Sequence, residues 1–137
     1  MRCMIDTNLI LDVLLEREPF FEDSKAVLTH CEQGKIQGFI SASTATDIFY
    51  LLRKALGSVE KAYEALGSIL RIVKVLTVTN SDVITAFQYK ARDFEDCLLA
   101  VCAKANKCDC VITRNGKDFA DFGIKTYLPG EILEKLV

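Results

Sequence analysis

Apolar residues along the chain gather into two kinds of segment, and the two kinds alternate. Short runs of strand length occur at Arg2–Ile5, Gly38–Ser41, Val73–Thr77, Cys110–Thr113 and Lys125–Tyr127, and between them apolar positions recur at helical spacing. Pro19 to Gln33 suits a helix opened by proline and closed by Gly34, while Ile48, Leu51, Leu52, Ala55 and Leu56 mark one apolar face that stops at Gly57. Ala62, Ala65, Leu66, Ile69 and Leu70 repeat the pattern within Ser58–Arg71, and Ser81-Asp82-Val83 has the form of a capped helix start. In Asp93–Asn106 the run Cys97–Ala103 is apolar on nearly every side, which predicts a helix sunk deep in the fold. Alternation of this kind predicts an α/β class: a mostly parallel sheet of about five strands covered on both faces.

The chain has 137 residues, half of them apolar, which suits one domain over 1–137 with a sizeable core. Proline occurs only at Pro19 and Pro129, and no low-complexity tract suggests a linker. No apolar run approaches the roughly 20 residues that cross a bilayer, and the N-terminus lacks the zones of a signal peptide, so a cytoplasmic location is expected. The six cysteines lie in or beside apolar segments and form no Cys-x-x-Cys pair, which fits core side chains in a reducing compartment better than disulfides or zinc. A net charge of −2 argues against a chain-wide basic face for nucleic acid. It leaves room for a local one among Arg53, Lys54, Lys90, Arg92, Arg114 and Lys117, each of which also reads as ordinary surface charge.

Four acids have comparable placement. Asp6 ends the first strand, Asp47 interrupts an apolar helix about one turn in, Asp96 opens the buried helix three residues after Asp93, and Asp118 follows the strand Cys110–Thr113. Each has a plain structural alternative: helix caps for Asp6, Asp93 and Asp96, a turn for Asp118, solvent exposure for Asp47. In a parallel sheet, however, the elements bearing them emerge at one edge, where ligands of such folds collect. Two unit charges about 4 Å apart repel by roughly 4 kcal/mol at an effective dielectric near 20, so a quartet of carboxylates calls for protonation, screening or a bound cation. Oxygen donors without thiolate or imidazole favour Mg²⁺ or Mn²⁺, in one or two ions, with Asn8, Ser43, Thr44, Thr113 and Asn115 as neutral ligands or orienting groups. The chemistry that such a site favours is phosphodiester hydrolysis, and no histidine base is then needed. The only histidine, His30, lies in another helix and reads as an ordinary, partly exposed side chain.

The set Ile5-Asp6-Thr7-Asn8, Ser41-Ala42-Ser43 with Asp47, Asp93-Phe94-Glu95-Asp96-Cys97-Leu98-Leu99-Ala100, and Ile112-Thr113-Arg114-Asn115-Gly116-Lys117-Asp118-Phe119 resembles the PIN-domain family over nearly the whole chain. The resemblance implies a three-layer α/β/α sandwich and a metal-dependent nuclease site, most often acting on RNA. Asp6, Asp96 and the Asn115/Asp118 pair match the family's acidic positions, Thr113 its small hydroxyl residue, and Asp47 stands where the family more often has Glu. Arg53, Arg114 and Lys117 are the expected contacts to RNA. Many small single-domain members resemble VapC-type toxins, and this resemblance implies an antitoxin partner and a homodimer, with Phe49–Leu70, including Tyr50 and Tyr63, as a surface for it. The alternative is a PIN-like module that binds RNA or protein with weak or absent nuclease activity. A haloacid-dehalogenase phosphatase fits poorly, because its pattern needs a second Asp where this chain has Asn8.

Overall fold

A computed structural model describes the whole chain, Met1–Val137. Its elements are β1 (Arg2–Ile5), α1 (Thr7–Leu14), α2 (Phe21–Glu32), β2 (Gln37–Ser41), α3 (Ala42–Leu56), α4 (Val59–Leu70), β3 (Lys74–Leu76), α5 (Asn80–Tyr89), α6 (Phe94–Ala105), β4 (Cys110–Ile112), a 3₁₀ segment (Gly116–Phe122), β5 (Thr126–Tyr127) and α7 (Pro129–Lys135). The five strands form one parallel sheet in the order β3-β2-β1-β4-β5. Both faces are covered by helices. No helix is long and apolar enough to cross a membrane.

The two-residue period of the strands divides the core. Cys3 and Ile5 of β1, Ile40 of β2, and Cys110 and Ile112 of β4 face the layer of α1, α2, α3, α4 and α7. Met4, Phe39 and Val111 face the opposite way, against α5, α6 and the 3₁₀ segment. Strands buried on both sides read as apolar runs, which is why β1, β2 and β4 stand out in the sequence, whereas the edge strands β3 and β5 are exposed or half-buried. The run Cys97–Ala103 is buried throughout, as expected of a helix pressed on the sheet centre. Five of the six cysteines are buried core side chains, and all six are free thiols.

Several boundaries differ from the sequence reading for local reasons. The second helix starts at Phe21, two residues after Pro19, because its first turn closes on the Phe20 carbonyl, which accepts the Ser24 N–H at 3.2 Å. The cap of α5 is Thr79 and not Ser81. Thr79 Oγ1 accepts the Asp82 N–H at 3.1 Å, and Asp82 Oδ2 accepts the Thr79 N–H at 3.0 Å, so one pair satisfies two otherwise orphan donors. The expected apolar face of α3 is only partly inward: Ile48 and Leu52 are buried, whereas Leu51 and Ala55 are exposed. Helix α7 was not anticipated, since Pro129 and Gly130 resemble a turn; Pro129 instead occupies the first helical turn, where its missing N–H costs nothing, and Glu131 Oε1 accepts the Leu128 N–H at 2.8 Å.

One buried ion pair ties the layers at the site edge. Asp12 on α1 is fully buried. Its carboxylate accepts hydrogen bonds from Arg114 Nε at 2.8 Å and Nη2 at 3.2 Å, with Arg17 Nη1 3.7 Å away. The Arg114 guanidinium also lies 4.0 Å from the centre of the Phe20 ring. Removing Arg114 leaves a buried carboxylate with one distant partner, so Arg114→Ala is expected to lower the unfolding free energy by about 2–4 kcal/mol in urea titrations. A loss below about 0.5 kcal/mol would show that the pair contributes nothing to stability.

Candidate functional site

The strand order places a topological switch between β1 and β4, since the chain leaves β1 toward β2 and β3 and returns on the other side. In open parallel sheets the crevice outside such a switch is where ligands bind. Asp6 follows β1 directly, and its N–H donates to the Ile112 carbonyl of β4 at 3.1 Å. Although Asp6 stands at the N-cap position of α1, its carboxylate makes no cap bond. It accepts the Thr113 hydroxyl at 2.7 Å instead, and that hydroxyl oxygen accepts the Asn115 N–H at 3.0 Å. The two bonds fix the orientation of a carboxylate that is only 6% exposed. Burial pushes the Asp6 carboxyl above its ordinary range, while Thr113, the Thr7 N–H and Arg114 pull it back.

Helix α6 brings the second group. Asp93 caps it, accepting the Asp96 N–H at 3.0 Å, and this bond fixes the backbone of the first turn. Asp96 is half-buried, and its carboxyl is pushed up to about 7 by burial first and then by Asp93, Asp6, Asp118 and Glu95. Asp47 extends from α3, whose start is held by Ser41: its hydroxyl accepts the Thr44 N–H at 3.2 Å and shares hydrogen bonds with Thr44 Oγ1 at 2.7 Å and Ser43 Oγ at 3.0 Å. Asp118 lies in the 3₁₀ segment, its N–H donating to the Asn115 carbonyl at 2.9 Å.

These elements enclose a cleft of about 730 Å³. Asp6, Asp47, Asp93, Glu95, Asp96 and Asp118 line it, together with Asn8, Ser43, Thr44 and Asn115. Tyr50, Leu51 and Phe94 form an apolar stretch of its wall. Thr113 lies behind Asp6, fully buried. Of the residues expected at the site, Arg53, Arg114 and Lys117 are not in the cleft: Arg114 is bound to Asp12, and Arg53 and Lys117 are exposed on the last turn of α3 and the start of the 3₁₀ segment. The lining includes no Lys, Arg or His.

Glu95 was not singled out from the sequence, where it reads as one more solvated charge in Asp93-Phe94-Glu95-Asp96. Its carboxyl is raised chiefly by Asp47, then by burial and Asp93, so the two side chains share one patch of the cleft. The only signal available in sequence was the density of acid in that four-residue segment. No three of the acidic side chains already converge on a point at chelating distance. Burial first and then neighbouring acids raise Asp96, while Asp47 is the chief cause at Glu95, so like charge is crowded along this wall. The donor set is all oxygen, so it fits a hard divalent cation and not a thiolate-seeking metal.

The charge crowding has a pH signature. A carboxyl raised from 3.8 to about 7 supports the folded state below pH about 4, and that support is lost as pH rises through about 7. In buffer free of divalent ions, stability should therefore fall between pH about 4 and 8. Asp96→Asn should flatten this fall and, at pH about 8, raise stability by about 1–2 kcal/mol, allowing for solvent screening in an open cleft. Thermal melts of both chains across pH check it; parallel pH curves would show that Asp96 is not the crowded group.

The sequence matches the family model described as PIN domain over residues 2–117. No curated protein sequence matches. Solved structures of similar fold include the Mycobacterium tuberculosis VapC20 toxin, described as cleaving the sarcin-ricin loop, with a TM-score of 0.71 at 16% identity, covering 86% of this chain and 93% of that one. FitAcB from Neisseria gonorrhoeae gives 0.71 at 20% identity, covering 93% and 98% of the two chains. A toxin–antitoxin complex from Klebsiella pneumoniae gives 0.66 at 21% identity, covering 93% and 97%. With its parallel sheet, the acids at one edge and a family match over most of its length, the chain belongs to the PIN-domain family.

Proposed function

We propose that the chain is a Mg²⁺- or Mn²⁺-dependent endoribonuclease that hydrolyses RNA phosphodiester bonds, and that it is the toxin of a toxin–antitoxin pair. The observation that carries this reading is the cleft at the β1–β4 switch, which six carboxylates line without a single cationic side chain. Asp6, Asp96 and Asp118, with Asp47, are the residues that would hold the ion. When bound, it supplies Lewis-acid polarisation of phosphate and water activation near neutral pH.

The protein's own part is orientation and charge. Thr113 and the Asn115 N–H hold Asp6 in one rotamer, and Asp93 fixes the first turn of α6 that carries Asp96. Asn8, Ser43 and Asn115 offer neutral oxygen at the rim of the same volume. Asp47 is shorter than the glutamate more usual at that place, and Glu95 beside it supplies a longer carboxylate on the same wall. An antitoxin partner is supported by the fold's similarity to the toxin–antitoxin complex of Klebsiella pneumoniae. A homodimer belongs to the same reading, with the exposed Tyr50 and Tyr63 of the α3–α4 segment Phe49–Leu70 as its surface.

The rival reading is a PIN-like module that binds RNA or protein with little turnover, and it draws on the absence of a preformed chelating triad. Cleavage of generic single-stranded RNA with Mn²⁺ separates the two. The parent chain should cut, Asp6→Asn and Asp96→Asn should each lose at least about a hundredfold, and Glu95→Gln about tenfold. Cleavage persisting in both aspartate variants would sink the assigned site, and no cleavage with any divalent ion would favour the binding module.

A further inference from the structure

A nuclease cleft lined by no cationic side chain has a difficulty: the phosphates on either side of the bond to be cut are anions, and they must cross an acidic rim. Exposed counter-charge lies next door. A second hollow of about 610 Å³ shares Asp93 and Asp118 with the cleft and is otherwise lined by Tyr89, Lys90, Ala91, Arg92, Asp121 and Phe122. It is formed by the turn between α5 and α6 on one side and the 3₁₀ segment on the other. The two hollows therefore meet along a lip made of Asp93 and Asp118.

Three features of this hollow favour a nucleic-acid strand. Lys90 and Arg92 are exposed, and although Asp93, Asp118 and Asp121 line the same hollow, neither cation forms an ion pair; the ion pairs of the chain are both at Asp12. Lys90 closes α5 at φ 52°, with its Nζ 3.3 Å from the centre of the Phe87 ring, a contact that leaves the ammonium open on its far side. Tyr89 is 40% exposed, yet its ring is held edge-on against Phe122 with centroids 5.7 Å apart, and Phe122 is held in turn by the fully buried Phe119. An anchored, exposed aromatic beside two unpaired cations is the combination that single strands use, bases on the ring and phosphates on the charges.

Resting on the ribonuclease reading above, we propose that single-stranded RNA leaves the acidic cleft over the Asp93–Asp118 lip, that Lys90 and Arg92 bind its flanking phosphates, and that Tyr89 stacks a base. Lys90, Arg92 and Tyr89 are thus substrate-positioning residues. They replace Arg53, Arg114 and Lys117 in that role.

The test uses a labelled single strand of about six nucleotides, short enough to report the immediate surroundings of the cleft. Binding is followed by fluorescence anisotropy across a salt titration, in an Asp6→Asn background so that the strand survives. Changing both cations, Lys90→Gln with Arg92→Gln, should weaken binding and shrink the slope of log Kd against log salt by about 1.4, at about 0.7 per lost phosphate contact. Tyr89→Ala should weaken binding about tenfold with the slope unchanged. Lys35→Gln, the loss of one exposed charge in the turn before β2, should alter neither. In Mn²⁺-dependent cleavage by the otherwise unchanged protein, the double variant should raise KM and keep kcat. If the parent cuts RNA while the double variant keeps its slope and KM, this path is overturned and the ribonuclease reading stands. If the parent neither binds nor cuts any RNA, both fall.

Discussion

The position of β1 governs the rest of the molecule. It lies at the centre of the sheet, hydrogen-bonded to a parallel neighbour on each side, and both of its faces are covered. A strand so placed has no freedom of register: a slip of one residue would exchange Cys3 and Ile5 with Met4 and send each set into the wrong layer. Because β1 and β4 run the same way and stand side by side, their ends arrive together. Asp6 and Thr113 are then neighbours by necessity, although 107 residues separate them in sequence. Helices α3 and α6 add their acids to an edge that the sheet has already defined.

Electrostatics pulls against this arrangement. Packing brings carboxylates together, whereas their mutual repulsion resists it, and the compromise is visible in how each is treated. Asp6 is enclosed and held by a hydroxyl; Asp96 is half-open and carries the largest disturbance of the group; Asp47 and Glu95 share one wall. A side chain in such a place contributes nothing to folding that a neutral one of the same shape would not do better, and sites that oppose stability in this way are characteristic of functional surfaces.

Much of this was legible in the sequence, and for a definite reason. Buried parallel strands cannot alternate polar with apolar residues, so their runs stand out, and the all-round apolar segment Cys97–Ala103 announced the helix that covers them. Acids that break such runs, Asp6 and Asp47 above all, were conspicuous by contrast. What stayed hidden was directional. Nothing in the chain distinguishes Arg114, which reaches into the interior to Asp12, from Lys90 and Arg92, which do not. Asp12 itself reads as the polar side of a helix until the tertiary structure closes over it. Glu95 was lost among neighbours of the same sign, and α7 was lost because proline and glycine at a helix start look like a turn.

The segment Thr113-Arg114-Asn115 carries two tasks on adjacent residues. Thr113 and Asn115 serve the cleft, while Arg114 between them holds α1 through Asp12. Substitution at the middle position will thus change how many molecules are folded before it changes what a folded molecule does. A screen that scores only bulk turnover would merge two effects of Arg114, the size of the working population set through Asp12 and the pull of its charge on Asp6. The same reasoning limits how the edge can vary over evolutionary time: new specificity is most readily acquired at Lys90 and Arg92 of the α5–α6 turn, which are exposed and form no ion pair.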